Sequence, residues 1–245
     1  MTPTPHDHRS HYILVPGFWL GAWAWDRVAP ALRDSGARVT ALTLPGSDSP
    51  DTARDAITLD DRVDAILAAV RTTAEDEDVI LVVHSGAGPV GYAVSDRVPE
   101  DLARVVYVDS GPMPHGAALR PDLPDSTVEI PLPTWAELEA DGNSLDGLDT
   151  ADLEEFAARA VPEPAGPART PLDLTDDRRL ELPTTVVCSS FPAEVITRMA
   201  QAGHPMAAEL ARIRHVDYVD LPTGHWPMWS RPDDLAAALL DAVRS

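Results

Sequence analysis

Five consecutive aliphatic residues, Val79-Ile80-Leu81-Val82-Val83, run without a polar interruption into His84-Ser85-Gly86-Ala87-Gly88. A half-exposed strand alternates apolar and polar side chains. An uninterrupted run this short reads instead as a strand buried on both faces, and helices on both faces of a parallel sheet supply that burial. The chain repeats this grammar. Residues 11–15 (HYILV) form a second apolar run closed by Pro16-Gly17, and residues 105–108 (VVYV), 184–188 (TTVVC) and 217–221 (DYVDL) are further strand candidates. Residues 38–44 (RVTALTL) alternate before the breaker Pro45-Gly46. Helical spacing fills the intervals: 25–32, 59–70 with Leu59, Val63, Ile66, Leu67 and Val70 on one face, a stretch opening after Gly88, 194–202, and an amphipathic end at 233–243. The fold class expected is therefore α/β, a mostly parallel sheet with helices on both faces.

The alternation lapses between Gly111 and Leu182, a stretch rich in Pro, Asp and Glu with helical pieces at 135–140 and 152–160 and a loop at 162–167. Such a segment cannot form a core alone and is expected to lie as a small helical lid over one end of the sheet. The expected organisation is a flexible tail at 1–10, a core from 11–110 and 183–245, and a lid insertion at 111–182. Composition narrows the partners. Across 245 residues, 19 basic side chains face 40 acidic ones, a formal charge of −21, which repels phosphate backbones and anionic lipid surfaces. All the basic residues are Arg, and they are scattered, so neither nucleic acid nor a membrane surface is expected as a partner. No apolar run approaches the ~18 residues of a membrane span, and the opening MTPTPHDHRSH has no apolar signal segment. Cys188 is the single cysteine, which rules out an internal disulfide and a cysteine-rich metal site. A reducing compartment, the cytoplasm, is expected.

Ser85 carries the chemical interest. A serine on a sharp strand-to-helix turn is lifted clear of the sheet, with small neighbours because the backbone there is strained and closely packed. The usual pattern is G-x-S-x-G. Here Val83 and Ala87 occupy the glycine positions, while Gly86 and Gly88 supply the flexibility, and the plain alternative is a serine capping a helix N-terminus. The loop Pro16-Gly17-Phe18-Trp19 follows the first strand, where an oxyanion hole needs a backbone N–H, and Gly86 after the serine would give the second. His225, in Pro222-Thr223-Gly224-His225-Trp226-Pro227, follows the last strand and so falls on the same sheet edge, in the right chain order after Ser85.

These residues resemble an α/β-hydrolase, and VPGFWLGAWAWDRVAPAL followed by VTALTLPG is similar to the small-lid branch that holds plant methylesterases and hydroxynitrile lyases. The resemblance covers nearly the whole chain. It implies Ser85 as nucleophile, His225 as general base, the N–H groups of Phe18 and Gly86 as oxyanion hole, and no cofactor or metal. Two departures stand out. Pro16 replaces the histidine common before that glycine, and the place of the acid reads Cys188-Ser189-Ser190-Phe191-Pro192, with no carboxylate before Glu194. Asp109 ends strand VVYV at the same edge, where some members of the fold place their acid, and the order Ser85, Asp109, His225 holds. Asp109 as a cap of the turn Ser110-Gly111-Pro112 is the plain alternative, Glu194 the second choice of acid, and Asp217 and Asp220 lie within the last strand.

The implied activity is a serine hydrolase acting on an ester, thioester or lactone of a small apolar-to-neutral substrate. Three other readings use the same residues. A lyase or cyclising enzyme would keep Ser85 and His225 for proton transfer, and a binding protein would keep only the pocket. Gly86 to Gly91 also satisfies G-x-G-x-x-G with Asp109 about 20 residues on, the pattern of a dinucleotide-binding oxidoreductase, but two strands precede it and Phe18, Ser85 and His225 would have no role. Trp19, Trp135 and Trp226 are candidates for the pocket mouth, whereas Trp23, Trp25 and Trp229 read as core. His6, His8 and His11 read as a solvated tail cluster, His84 as packing beneath the turn, and His115, His204 and His215 as loop or surface residues.

Overall fold

The computed structural model describes residues 9–73 and 77–243. In chain order the elements are β1 (Arg9–Val15), α1 (Ala29–Asp34), β2 (Arg38–Ala41), α2 (Leu59–Val70), β3 (Glu77–His84), α3 (Gly88–Arg97), β4 (Arg104–Val108), β5 (Glu129–Ile130), α4 (Trp135–Ala140), α5 (Thr150–Arg159), β6 (Glu163–Pro164), α6 (Ala165–Arg169), β7 (Thr184–Cys188), α7 (Ala193–Gln201), β8 (Val216–Asp220), α8 (Pro227–Ser230) and α9 (Pro232–Ala242). Six strands form one parallel sheet in the order β2-β1-β3-β4-β7-β8. β5 and β6 make a separate antiparallel pair.

The apolar runs are explained by this placement. Along β3, Leu81 and Val83 face one core with Ile13, Val105, Tyr107 and the inner sides of α2 and α3. Ile80 and Val82 face the other with Tyr12, Leu14, Val106, Val108 and α9. Each fully buried aliphatic side chain contributes roughly 1.5–3 kcal/mol, so the middle of β3 is aliphatic on both faces, and the polar side chains buried on neighbouring strands, such as His11 and Thr185, are hydrogen-bonded. Helix α2 starts where the sequence dictates, because Thr58 and Asp61 form a reciprocal capping box.

Several boundaries differ from the sequence reading, each for a local reason. The expected helix at 25–32 is divided into a 3-10 turn at Ala22–Trp25 and the helix α1, because Pro30 has no N–H to continue a preceding turn and fits a first turn instead. β2 ends at Ala41 rather than at 44. The expected loop at 162–167 is ordered: β6 pairs with β5 and runs into α6. Arg9 and Ser10, assigned to the tail, belong to β1, while residues 1–8, including His6 and His8, lie outside the described residues. His11 is buried between the hydroxyls of Thr73 and Thr40, each 2.8 Å from a ring nitrogen, and is not solvated. Between β4 and β7 the chain makes its long excursion through β5, α4, α5, β6 and α6, and Leu138 and Phe156 anchor it in the second core. Among the described residues no helix is long and apolar enough to cross a membrane.

Candidate active site

The strand register brings three loops to one edge. His84 pairs with Val108 and Val108 with Val187, so the chain leaves β3 at Ser85, β4 at Asp109 and β7 just beyond Cys188 side by side. The backbone is strained there. Among the described residues, the non-glycine positions with positive φ are Trp19 (67°), Ser85 (50°) and Asp109 (43°), in the loop after β1 and directly after β3 and β4. A non-glycine residue in this region costs of order 1–3 kcal/mol, so the surroundings must hold each one in place.

Those surroundings are a chain of hydrogen bonds. Ser85 Oγ lies 2.7 Å from His225 Nε2, and His225 Nδ1 lies 2.5 Å from Asp109 Oδ2. The Ser190 hydroxyl donates to Asp109 Oδ2 at 2.6 Å, and its N–H to Oδ1 at 2.9 Å. Burial by itself would raise the Asp109 carboxyl, but the hydrogen bonds and charge of His225, with those of Ser190, hold it at about 2. Asp109 is therefore an anion at neutral pH.

His225 is fixed from above and below. Its N–H donates to Ser144 O at 2.7 Å and Gly224 N–H to Asp146 O at 3.0 Å, so the excursion between β4 and β7 holds the histidine loop. His84 sits beneath, completely buried, with Nε2 2.8 Å from the His225 carbonyl oxygen. Because that carbonyl only accepts, His84 Nε2 carries the proton. Burial, and then the proximity of His225, lower His84 to about 3, so its ring stays neutral. The Ser110 hydroxyl donates to the Ser85 carbonyl oxygen at 2.6 Å and braces the turn.

Ser85 opens into a cavity of about 600 Å³ lined by Phe18, Trp19, Gly86, Leu119, Ile130 and Leu138, with Arg120, Asp141 and Asn143 at its polar part. Phe18 and Gly86 are in direct contact, since a Cβ on Gly86 would come within 2.5 Å of the Phe18 ring. Trp19 holds its place by donating from Nε1 to Ile130 O at 3.1 Å. Trp135 and Trp226, expected at the mouth, instead pack on Phe156 with ring centroids 5.5 and 5.3 Å away, and Trp226 is buried against His225. The apolar centre supplied by Phe156 draws them inward. Trp25 is fully buried, and Trp23 stacks on Trp229.

The other acids are occupied elsewhere. Glu194 is exposed on α7 beside Arg198, Asp217 pairs with Arg104, and Asp220 accepts the Ala193 N–H. The glycines of the G-x-G-x-x-G stretch are already against protein: besides Gly86 on Phe18, a Cβ on Gly88 would meet Ser110 Oγ at 2.3 Å. Among the described residues no group of three or more His, Cys, Asp or Glu is placed to hold a metal ion. Sequence reasoning did not single out Ser190, Ser110, Asn143 or Arg120. The Ser189-Ser190 pair, standing where a carboxylate is usual, was the one signal for the first of them.

The pattern of the Alpha/beta hydrolase family matches residues 12–238. A carbendazim hydrolyzing esterase from Nocardioides sp. is 31% identical over 157 residues, 64% of this chain and 61% of that protein. Methylesterase 3 of Arabidopsis thaliana is 30% identical over 151 residues, 61% of this chain and 53% of that protein, so these two matches span about half to three fifths of each relative. Methylesterase 7 of Arabidopsis thaliana is 25% identical over 266 residues, covering 96% of both. An extracellular alpha/beta-hydrolase from a Paenibacillus species shares the fold, with a TM-score of 0.74, 21% identity and coverage of 96% of this chain and 99% of that one. Tomato methylketone synthase I shares it too, with a TM-score of 0.72, 18% identity and coverage of 96% and 98%.

Proposed function

The chain belongs to the alpha/beta hydrolase family, and from that premise we propose that it is a serine hydrolase. It cleaves a carboxylic ester, thioester or lactone of a small apolar-to-neutral substrate through an acyl-serine intermediate. The observation that carries this reading is the unbroken chain from Ser85 Oγ through His225 to Asp109, with contacts of 2.7 and 2.5 Å. Relatives named as esterases and methylesterases support the ester class.

In this mechanism His225 Nε2 takes the Ser85 proton as Oγ attacks the carbonyl carbon, and Asp109 holds the ring in the tautomer that leaves Nε2 free to accept. Phe18 and Gly86 N–H groups form the oxyanion hole, fixed by the positive-φ turns at Trp19 and Ser85. His225 then returns its proton to the leaving group and activates water to free the acid. The segment between β4 and β7 acts as a lid: it supplies Leu119, Ile130 and Leu138 to the cavity wall and grips the His225 loop. The apolar wall supports an apolar or neutral substrate. The free, buried Cys188 supports residence in a reducing compartment, the cytoplasm.

Intact mass after incubation with a fluorophosphonate tests the reading, comparing wild type with Ser85→Ala. One adduct, mapped to Ser85 and missing in the variant, is expected. Folded wild-type protein that stays unlabelled would show that Ser85 is not an activated nucleophile and would favour proton-transfer chemistry or ligand binding.

A further inference from the structure

A second cavity, of about 350 Å³, opens beside the first, and Asp109, Asp141 and Asn143 line both. The two differ in what else they touch. Ser85, Phe18 and Gly86 line the first, whereas His225 lines the second, together with Cys188, Phe191, Ile196, Met206 and Leu210. His225 thus stands between the two, lining the second chamber while its Nε2 lies 2.7 Å from Ser85 Oγ of the first.

We propose that this second cavity binds the leaving alcohol of the ester and selects an apolar alcohol larger than methanol, an inference that rests on the esterase reading above. The chemistry fixes the side. In acylation the bond from Ser85 Oγ to the carbonyl carbon forms and the bond from that carbon to the alkoxy oxygen breaks. The proton that left Ser85 passes from His225 Nε2 to the alkoxy oxygen, giving acyl-Ser85, neutral His225 and free alcohol. The alkoxy oxygen must therefore lie against His225, and the group it carries continues into the chamber that His225 lines.

The lining specifies the class of alcohol. Among the described residues the exposed large apolar side chains are Leu119 (36%), Val128 (46%), Phe191 (41%) and Met206 (61%). Leu119 lines the first chamber, and Phe191 and Met206 the second. On a chain with a formal charge of −21, apolar surface gathered at two adjoining chambers marks a ligand site rather than chance exposure. Methanol would leave the walls at Phe191, Ile196 and Met206 wet. A longer or bulkier alkyl group covers them, and each buried methylene is worth roughly fourfold in kcat/KM.

The test compares methyl and hexyl butyrate by pH-stat, since both form the same acyl-enzyme and differ only in the alcohol. Burial of three to four of the five added carbons gives hexyl a roughly 10²-fold advantage in kcat/KM. Ile196→Trp, on the half-buried face of α7, fills the chamber and should cut the hexyl-to-methyl ratio at least tenfold. Met206→Trp, at an exposed position on the rim, should do the same if Ile196→Trp does not fold. Val128→Ser, outside both chambers, should leave the ratio unchanged. Fluorophosphonate labelling of Ser85 with equal or lower kcat/KM for hexyl butyrate overturns the alcohol subsite alone, as does an unchanged ratio in the folded tryptophan variants. Folded wild type that is neither labelled nor active on either ester overturns the esterase reading and the subsite with it.

Discussion

Replacing Asp109 by Asn keeps the size of the side chain and removes its charge, and two losses follow from the geometry. Asp109 Oδ2 accepts from His225 Nδ1 and from the Ser190 hydroxyl, while Oδ1 is held by the Ser190 N–H. With Oδ1 so held, the Asn amide N–H₂ faces the ring, which pushes the imidazole proton onto Nε2. His225 then donates to Ser85 Oγ and cannot take its proton. The second loss is electrostatic: the imidazolium that forms during attack no longer has a carboxylate beside it. At an effective dielectric of about 20, unit charges ~4 Å apart attract by about 4 kcal/mol, a factor of roughly 10³ in rate. Adding the wrong tautomer brings the expected loss in kcat to roughly 10⁴, the size of the effect in serine proteases with the same arrangement. The assay is kcat on hexyl butyrate at pH 7, with circular dichroism confirming the fold and fluorophosphonate labelling reporting Ser85 directly. A folded Asp109→Asn protein that turns over within tenfold of wild type would refute the role of Asp109, and Glu194, exposed beside Arg198, offers no replacement in this geometry.

Further outcomes follow from the buried groups. His84, held neutral at about 3 against an ordinary 6.5, takes no proton in the folded protein where the unfolded chain does, so stability falls as pH drops below 6.5. Between pH 6.5 and 4.5 this costs about 2 kcal/mol, and His84→Gln, which can still donate to the His225 carbonyl, should show a shallower fall in Tm across that window. Asp109 works in the opposite range: its carboxyl, at about 2 against 3.8, contributes about 2 kcal/mol above pH 3.8 that is lost as pH falls through 2. Acid titration of Tm should therefore be flatter below pH 4 in Asp109→Asn than in wild type. Glu163, on β6, is buried in an ion pair with Arg62 of α2. Glu163→Ala leaves that guanidinium unpaired and should cost roughly 3–5 kcal/mol in urea unfolding, and a loss under 1 kcal/mol would show that Ser47 Oγ and Pro45 O suffice for Arg62.

The sheet was legible because its signal is local. Val79 to Val83 had to be buried on both faces, and β3 lies between β1 and β4 with helices above and below. The edge bearing Ser85, Asp109 and His225 follows from that, since a parallel sheet sends every strand's C-terminal end the same way. The excursion between β4 and β7 was less legible. Its helices α4 and α5 are legible as helical pieces, at 135–140 and from 152 although α5 starts at Thr150, but the pairing of Glu129–Ile130 with Glu163–Pro164 joins segments far apart in sequence. A proline-bearing two-residue strand has no pattern to read. Trp135 and Trp226 differ from expectation for a related reason: a tryptophan is drawn to either a mouth or a core, and only the tertiary position of Phe156 decides for these two.

The position of the acid shows what the sheet edge dictates and what it leaves free. β4 and β7 are neighbours, with Val108 opposite Val187, so the loops that leave them start about one strand spacing, ~5 Å, apart. A carboxylate on either loop can reach the same side of His225. In this chain the β4 loop carries it, on a backbone bent to φ 43°, and the β7 loop carries Ser190, whose hydroxyl and N–H grip that carboxylate. The hydrogen bonds of Ser190 offset the strain at Asp109 and set the face it turns to His225. The absence of an acid between Cys188 and Glu194 is thus not a vacancy in the relay. Here the β7 loop lies beside the histidine and orients the carboxylate that the β4 loop supplies.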